Sequence, residues 1–424
     1  MEKKSRSLTT KIFIGLILGL ITGIIVYFLP KGTFKDDILI NGIFQLVGQV
    51  FLRAIMMMVV PLVFISLVNG AASMGDIKKL GRVGVRTILF YLVTTALAVS
   101  IALSLGYFLK PGMGLDMGAI QEVDVTINEK TPLVQILYEM IPNNPIAAMS
   151  QGNMLQIIVF AIITGVGLSA LGDKAKSLLK IFEELNELVM KMVSFVMLMA
   201  PIGVFGLIAK TFATVGYDGI LPLLKYVGTV YLGLVIHAGL VYSGMLKGFT
   251  GLSPRQFFKK FWPAMSVAFS TASSNATVPI NLEITEKELG ASKNIASFTI
   301  PLGATINMDG TAIMQGVATF FIAQVYRIPL SINAILTVVL TATLASIGTA
   351  GVPGAGTIML SMVLQSIGLP LEGIGLIMGI DRLVDMGRTA INITGDSVCT
   401  VIIAQREGEL DQEVFNAEAK KLAK

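Results

Sequence analysis

Five polar side chains, Asp381, Asp385, Arg388, Asn392 and Asp396, recur along an otherwise apolar stretch near the C-terminal end of the chain. At about 100° per residue they fall within an arc of roughly 80° on one helical face. Their types suit recognition rather than bond making. A guanidinium fork meets a carboxylate bidentately and a free aspartate takes an ammonium, a division of labour that fits a zwitterion with an acidic side chain. The structural alternative is an ion pair of Arg388 with Asp385 or Asp381 that holds the helix to its neighbours. Upstream, Pro301-Leu-Gly-Ala-Thr-Ile-Asn-Met-Asp-Gly-Thr-Ala312 sets Asn307 and Asp309 between Gly303 and Gly310. Glycine around a polar pair predicts local unwinding, and an unwound turn frees carbonyl oxygens that, with a carboxylate, suit a hard cation such as Na+. Plain helix glue is the competing reading of this pair, disfavoured by the cost of burying a carboxylate.

Other candidates read as structure when taken alone. Tyr91, Thr94 and Thr95 stand at helical spacing and suit hydroxyl-to-carbonyl bonding within their own helix. Gly15, Gly19 and Gly23 form a small-residue face for helix packing. His237, the only histidine, reads as an interior residue, since no second histidine exists to share a metal. Cys399, the only cysteine, is expected to pack in the last helix. No nucleophile-base pair, phosphate loop or metal-ligand spacing supports an enzyme.

The elements that must position these groups are membrane helices. Of 424 residues, 54% are hydrophobic and 14% charged, where a soluble protein carries about 25% charge. Each ionised group at bilayer depth costs roughly 2.5 to 3.5 kcal/mol on insertion scales, so the polar face cannot meet lipid. Apolar runs long enough to span recur at 8–29, 40–71, 86–108, 154–171, 178–209, 220–245, 295–326 and 373–404. Two further segments, 261–279 and 335–367, are interrupted by Ser270-Thr-Ala-Ser-Ser-Asn-Ala-Thr277 and Ser346-Ile-Gly-Thr-Ala-Gly-Val-Pro-Gly-Ala-Gly356. Irregular backbone at membrane depth must be buried in protein or line a cavity, so both are predicted to be re-entrant hairpins. The expected fold class is an all-α polytopic membrane protein with eight transmembrane helices plus two re-entrant helical hairpins.

Basic residues cluster at the start (Lys3, Lys4, Arg6) and in the second, fourth and sixth connections (Lys78, Lys79, Arg82; Lys174, Lys176; Lys247, Arg255, Lys259, Lys260). The third connection is acidic, with Asp116, Glu122, Asp124 and Glu129. That asymmetry predicts cytoplasmic termini in a plasma or inner membrane. The net charge of +5 fits loops beside an anionic leaflet. Nucleic-acid binding has no aromatic-basic patch to support it. The N-terminal basic head and apolar run lack an A-x-A-like cleavage site and are kept as the first span.

The Ser273-Ser274 pair, Asn307-Met-Asp-Gly-Thr311, Ser346 to Gly356 and Asp385-Met-Gly-Arg-Thr389, in that order, resemble the dicarboxylate/amino acid:cation symporters, the glutamate transporter family. The resemblance runs over essentially the whole chain and is strongest over 266–407. It implies a homotrimer in the lipid bilayer, inverted repeats and an elevator-type transport mechanism. A scaffold would comprise 1–79 and 111–215, and a transport domain 80–110 and 216–424. It further implies that Arg388 with Thr311 binds the substrate side-chain carboxylate, Asp385 its amino group, and Asn392 with Ser274 the α-carboxylate. Ser273 and Thr389 belong to the same set, and Val352 and Gly356 close over the substrate as an extracellular gate. Three sites for co-transported Na+ are implied: Gly303, Asn307, Asn392 and Asp396; carbonyls of Thr305, Met308, Ser346, Ile347 and Thr349; and Tyr91, Thr94, Thr95, Asn307 and Asp309. Cations that neutralise Asp309 and Asp396 in a low dielectric would order the covering hairpin, so each ligand favours the other.

Departures from the family pattern carry their own expectations. Sodium-coupled archaeal members have an arginine just before the serine pair, where this chain has Ala272; Arg382 is expected to supply that cation from the opposite element. Asn275 replaces a serine common in relatives. Gln315 stands where proton- and potassium-coupled animal members have glutamate, which argues for sodium coupling. Arg388 with Asp385 favours aspartate or glutamate, with a C4 dicarboxylate as runner-up, because succinate has no ammonium for Asp385. A proton-coupled symporter and, from another class, a channel or receptor are the alternatives. Asp381 is expected to be a structural partner of Arg382 or Arg388.

Overall fold

Residues 8–73, 82–115, 138, 141–347, 355–378 and 380–417 are described by a computed structural model of the chain. The first half runs through α1 (Leu8–Tyr27), α2 (Gln45–Ser73), α3 (Arg82–Leu109), α4 (Pro145–Gln151), α5 (Met154–Leu171), α6 (Lys176–Leu198) and α7 (Ala200–Val215). Next come α8 (Ile220–Ile236), α9 (Ser243–Thr250), α10 (Pro254–Thr271), α11 (Ser274–Lys287), α12 (Lys293–Ile306) and α13 (Asp309–Val325). The chain closes with α14 (Ile332–Ser346), α15 (Ala355–Ser366), α16 (Ile374–Met378), α17 (Asp381–Glu407) and α18 (Gln412–Asn416). Among the described residues there is no strand, only one isolated antiparallel bridge between Ala291 and Leu410.

Five stretches, Thr10–Tyr27, Phe34–Ala72, Arg82–Leu109, Gln156–Leu198 and Ile220–Thr250, are long and apolar enough to cross a bilayer. Large side chains such as Ile25, Leu46, Leu89 and Leu224 are exposed along them. The described residues are almost entirely helical and these stretches carry an aliphatic outer surface, which makes this a membrane protein. The apolar run 178–209 is not one helix. It breaks between α6 and α7, where Pro201 stands in the new first turn, because proline has no N–H with which to continue the ladder.

The helices pack in two groups. In one, α2 contacts α5, α6 and α7, and α1 lies along α7. The glycine face of α1 explains that last contact: a side chain at Gly15, Gly19 or Gly23 would strike the carbonyls of Pro201, Phe205 and Ala209. In the other, α17 is central, buried over most of Val384 to Ala404 and surrounded by α8, α10, α11, α12 and α13, with α3 packed on α13 and α14. The groups meet where α15 lies on α2 and α5, and where α16 lies on α7.

Local chemistry sets the hairpin arms. Ser253, Ser273 and Ser331 cap α10, α11 and α14, each side chain accepting a backbone N–H of the first turn. Thus both segments predicted as hairpins are helix pairs: α10 turns into α11 at Ala272, and α14 ends at Ser346 before α15 starts at Ala355.

Candidate functional site

The polar face of α17 is almost fully enclosed, Asp385, Arg388, Asn392 and Asp396 being at most 3% exposed. Arg388 donates from Nε to Asp385 Oδ1 at 2.9 Å and from Nη1 to Asp381 Oδ1 at 3.4 Å. Asp381 Oδ2 accepts from Thr357 Oγ1 at 2.8 Å, which ties α15 to this cluster. Arg382 donates from Nη1 to Asp385 Oδ2 and from Nη2 to the Thr271 carbonyl, each at 3.3 Å, and its buried Nε has no partner. Asp385 therefore sits between two guanidinium groups. Two acids and two arginines balance one another in a region of low dielectric, where removing one member of a buried pair costs about 3–5 kcal/mol. Of the two partners expected for Asp381, Arg382 or Arg388, it pairs with Arg388.

Opposite this face the helix is interrupted, as the glycines around Asn307 predict. Asn307 (φ −89°, ψ 91°) and Met308 (φ −116°, ψ 43°) leave helical geometry between α12 and α13. Asn307 Nδ2 donates to the Asn392 carbonyl and to Asp396 Oδ1, both at 2.9 Å, and Asn392 Oδ1 accepts from Gly310 N–H at 2.7 Å. Amide bonds thus stitch the break to α17. Two oxygens are left over: Asn307 Oδ1 and Asp396 Oδ2 are buried with no partner. Buried acceptors are ordinarily satisfied, and a carboxylate oxygen and an amide oxygen, on two side chains already bonded to each other, are hard donors of the kind that Na+ takes. Gly303 completes the enclosure, since a side chain there would strike Asp396 Oδ1 and the Tyr91 hydroxyl.

Asp309 is buried a turn away. Its Oδ1 accepts from Thr95 Oγ1 at 2.6 Å; its Oδ2 accepts from Tyr242 OH at 2.8 Å and lies 3.0 Å from His237 Nε2. His237 and Tyr242 reach it together because residues His237–Tyr242 are wound as a π-helix. Five residues apart on an α-helix, they would point about 140° from each other; the wider π turn brings them to one side, with ring centroids 4.6 Å apart. This pair was not legible in the residue pattern. Its one signal was the lone histidine in an apolar span.

Of the other expected ligands, Tyr91 donates to the Thr299 carbonyl at 3.0 Å. Thr94 bonds the Tyr91 carbonyl within α3, as its structural reading holds. Thr305 and Met308 flank the break, with Ser346 and Ile347 at the end of α14. Asn392 Nδ2 donates to Met308 Sδ at 3.2 Å and to Thr311 Oγ1 at 3.4 Å. Thr389 Oγ1 bonds the Asp385 carbonyl at 2.8 Å.

At the first hairpin tip Ala272 is left-handed (φ 50°, ψ 40°) and Ser273 Oγ accepts from Ala276 N–H at 3.2 Å. Ser274 is buried, while Asn275 and Ala276 are exposed. A second polar seam lies further along the same arm: Ser397 Oγ donates to Asn281 Oδ1 at 2.5 Å, and Thr285 reaches both, at 2.8 and 3.2 Å. At the second hairpin, Gly356 lies directly on Arg388, where an added Cβ would meet Nη1 at 2.5 Å. Val352 and Thr349 lie outside the described residues, as do Lys78 and Lys79 and the acidic group of the third connection.

Residues 8–406 match the sequence pattern described as the Sodium:dicarboxylate symporter family. The chain is 37% identical over 413 residues to a proton/sodium-glutamate symport protein of Bacillus caldotenax, covering 96% of each chain. It is 36% identical over 423 residues to a proton/glutamate-aspartate symporter of Escherichia coli (strain K12), covering 97% of this chain and 96% of that one. It is also 32% identical over 416 residues to a C4-dicarboxylate transport protein of Bacillus subtilis (strain 168), with 97% and 96% covered.

Proposed function

The chain belongs to the sodium:dicarboxylate symporter family, a family of transporters and not enzymes, and we propose that it imports aspartate or glutamate together with Na+ by an elevator-type movement. One adjacency carries this reading: Arg388 and Asp385 offer a guanidinium and a carboxylate on the face of α17 that, two turns on, holds Asp396, which is bonded to Asn307, each of the two keeping one unpartnered buried oxygen. Arg388 and Thr311 take the side-chain carboxylate, Asp385 the ammonium, Asn392 and Ser274 the α-carboxylate, with Ser273 and Thr389 alongside and Gly356 with Val352 above. Na+ travels as cargo at Asn307, Asn392, Asp396 and Gly303, at Asp309 with Tyr91, Thr94 and Thr95, and at the carbonyls of Thr305, Met308, Ser346, Ile347 and Thr349. A cation at the first site satisfies both leftover oxygens and keeps Asp396 ionised without water, so cation and substrate binding reinforce one another.

The architecture proposed is a homotrimer of eight spans and two re-entrant hairpins per protomer, with both termini in the cytoplasm of a cell whose plasma or inner membrane it spans. The proposed scaffold is 1–79 and 111–215 and the proposed transport domain 80–110 and 216–424, a division supported by the two packed groups among the described helices. The seating of α15 on α2 and α5, with Asn275 and Ala276 of the first tip exposed, supports an inward-facing arrangement.

A C4-dicarboxylate substrate is the second reading, favoured by one observation: Arg382 places a second guanidinium 3.3 Å from Asp385, so a ligand without an ammonium leaves no isolated buried charge. Uptake of labelled aspartate, glutamate and succinate into proteoliposomes, with sodium and proton gradients imposed separately, decides among these. Aspartate or glutamate uptake that needs inward sodium is expected. Succinate uptake without aspartate uptake overturns the substrate, and uptake driven by protons alone overturns the ion.

A further inference from the structure

The chain does not simply end after α17. Residues 408–417 fold back on the base of the first hairpin. Gly408 turns left-handed (φ 74°), Leu410 bridges Ala291, and two bonds flank that bridge: Ser292 N–H to the Glu409 carbonyl at 3.0 Å and Asp411 N–H to the Gly290 carbonyl at 2.8 Å. Ser292 Oγ also meets the Glu409 carboxylate. Phe415 of α18 is wholly buried. Lys260 of α10 sits at the centre, 3% exposed, its ammonium donating to the Val414 carbonyl at 2.6 Å and the Glu288 carbonyl at 2.9 Å. Gln256, one turn earlier, donates to the Ala417 carbonyl at 2.8 Å. At the other edge Glu407 pairs with Arg86 and Arg82 of α3.

An ammonium held by two carbonyls inside a protein is a strong, directional attachment, because each bond is charge-assisted and the group has nowhere else to be solvated. It fixes α10 about 16 Å from Thr271, eleven residues along the helix. At that far end the Thr271 carbonyl accepts from Arg382. The first arm is therefore tied at both ends to α17 or to its continuation.

We propose that residues 408–417, pinned by Lys260, are a positioning clasp for the substrate site: they hold the base of the first hairpin while Arg382 holds its tip, so that Ser273 and Ser274 keep their place against α17 throughout the transport cycle. This rests on the reading of the hairpin tip as part of the substrate site. Lys260 is a positioning residue, since it touches neither substrate nor cation.

The bridge supplies a direct test. Ala291 and Leu410 form a non-hydrogen-bonded antiparallel pair, whose Cα atoms lie about 4.5 Å apart, within disulfide reach. Cys399 is buried and stays in place. The Ala291→Cys/Leu410→Cys protein, reconstituted and oxidised, is expected to take up labelled aspartate at the unmodified rate; uptake lost on oxidation and restored by reductant means that the clasp opens in each cycle and overturns the proposal. In parallel, Lys260→Met is expected to raise the KM for substrate about tenfold with maximal rate nearly kept, and Lys260→Arg to retain the normal KM. An unchanged KM in Lys260→Met overturns the positioning role; if that variant does not fold, the disulfide result stands alone. Unmodified protein in the same vesicles separates the two levels: no aspartate uptake there refutes the substrate assignment, and succinate then serves as tracer for the same variant-to-parent ratios.

Discussion

The two hairpins interrupt their apolar runs with similar small and polar residues, yet they are attached differently. The first meets α17 through amides and hydroxyls: Asn281, Thr285 and Ser397 form a closed cluster, and Arg382 reaches the Thr271 carbonyl. The second buries Ala355, Gly356, Ile358, Met359 and Leu360 against its surroundings, and its bond to α17 among the described residues is Thr357 to Asp381. Directional bonds fix a register, whereas smooth apolar contact permits sliding at little cost in unsatisfied groups. The difference teaches that similar composition can build a strut or a cover, depending on where the few polar side chains find partners.

The largest expected effect tests the cover. Gly356→Val places carbon where Arg388 lies, so the second hairpin cannot close, and uptake should fall about a hundredfold while folding is kept; normal uptake would mean that α15 does not approach Arg388 in the working cycle. Asn281→Leu tests the strut. It leaves the Ser397 and Thr285 hydroxyls with only each other, so one buried O–H loses its acceptor, and should lower stability by about 1–3 kcal/mol in a thermal-shift measurement in detergent; an unchanged midpoint would remove the seam as the hairpin's attachment. Arg382→Ala frees the first tip from α17 and should weaken apparent substrate affinity about tenfold. Unaltered affinity and rate would dismiss Arg382 as the stand-in for the arginine absent at Ala272. Smallest is Thr357→Val, which removes the cover's one described polar tie to α17; a change of about threefold or less in uptake is expected, and a collapse as deep as that of Gly356→Val would make the second hairpin a strut too.

Much of this arrangement was legible in the residues. Hydropathy located the five helical stretches long enough to span, small and polar interruptions at 270–277 and 346–356 marked the two helix pairs, and glycines around Asn307 announced the broken helix, because each of these is a local rule of backbone chemistry. The polar face of α17 followed from a 3.6-residue period. Three features were not legible, and each depends on something nonlocal. The Thr357 contact of Asp381 is set by how α15 docks. His237 and Tyr242 meet Asp309 through a winding that hydropathy does not report. Lys260 holds residues 408–417 through backbone carbonyls, which have no sequence signature at all.

The π-wound turn at His237–Tyr242 holds one residue more than an α-turn would. Geometrically it acts as a single inserted residue. Deleting a single residue there would rewind the span, turn α9 and everything beyond it by about 100°, and part the histidine from the tyrosine. In aligned sequences of related proteins, a one-position gap in this stretch is then diagnostic: it marks chains in which Asp309 is served by one of these rings and not by both.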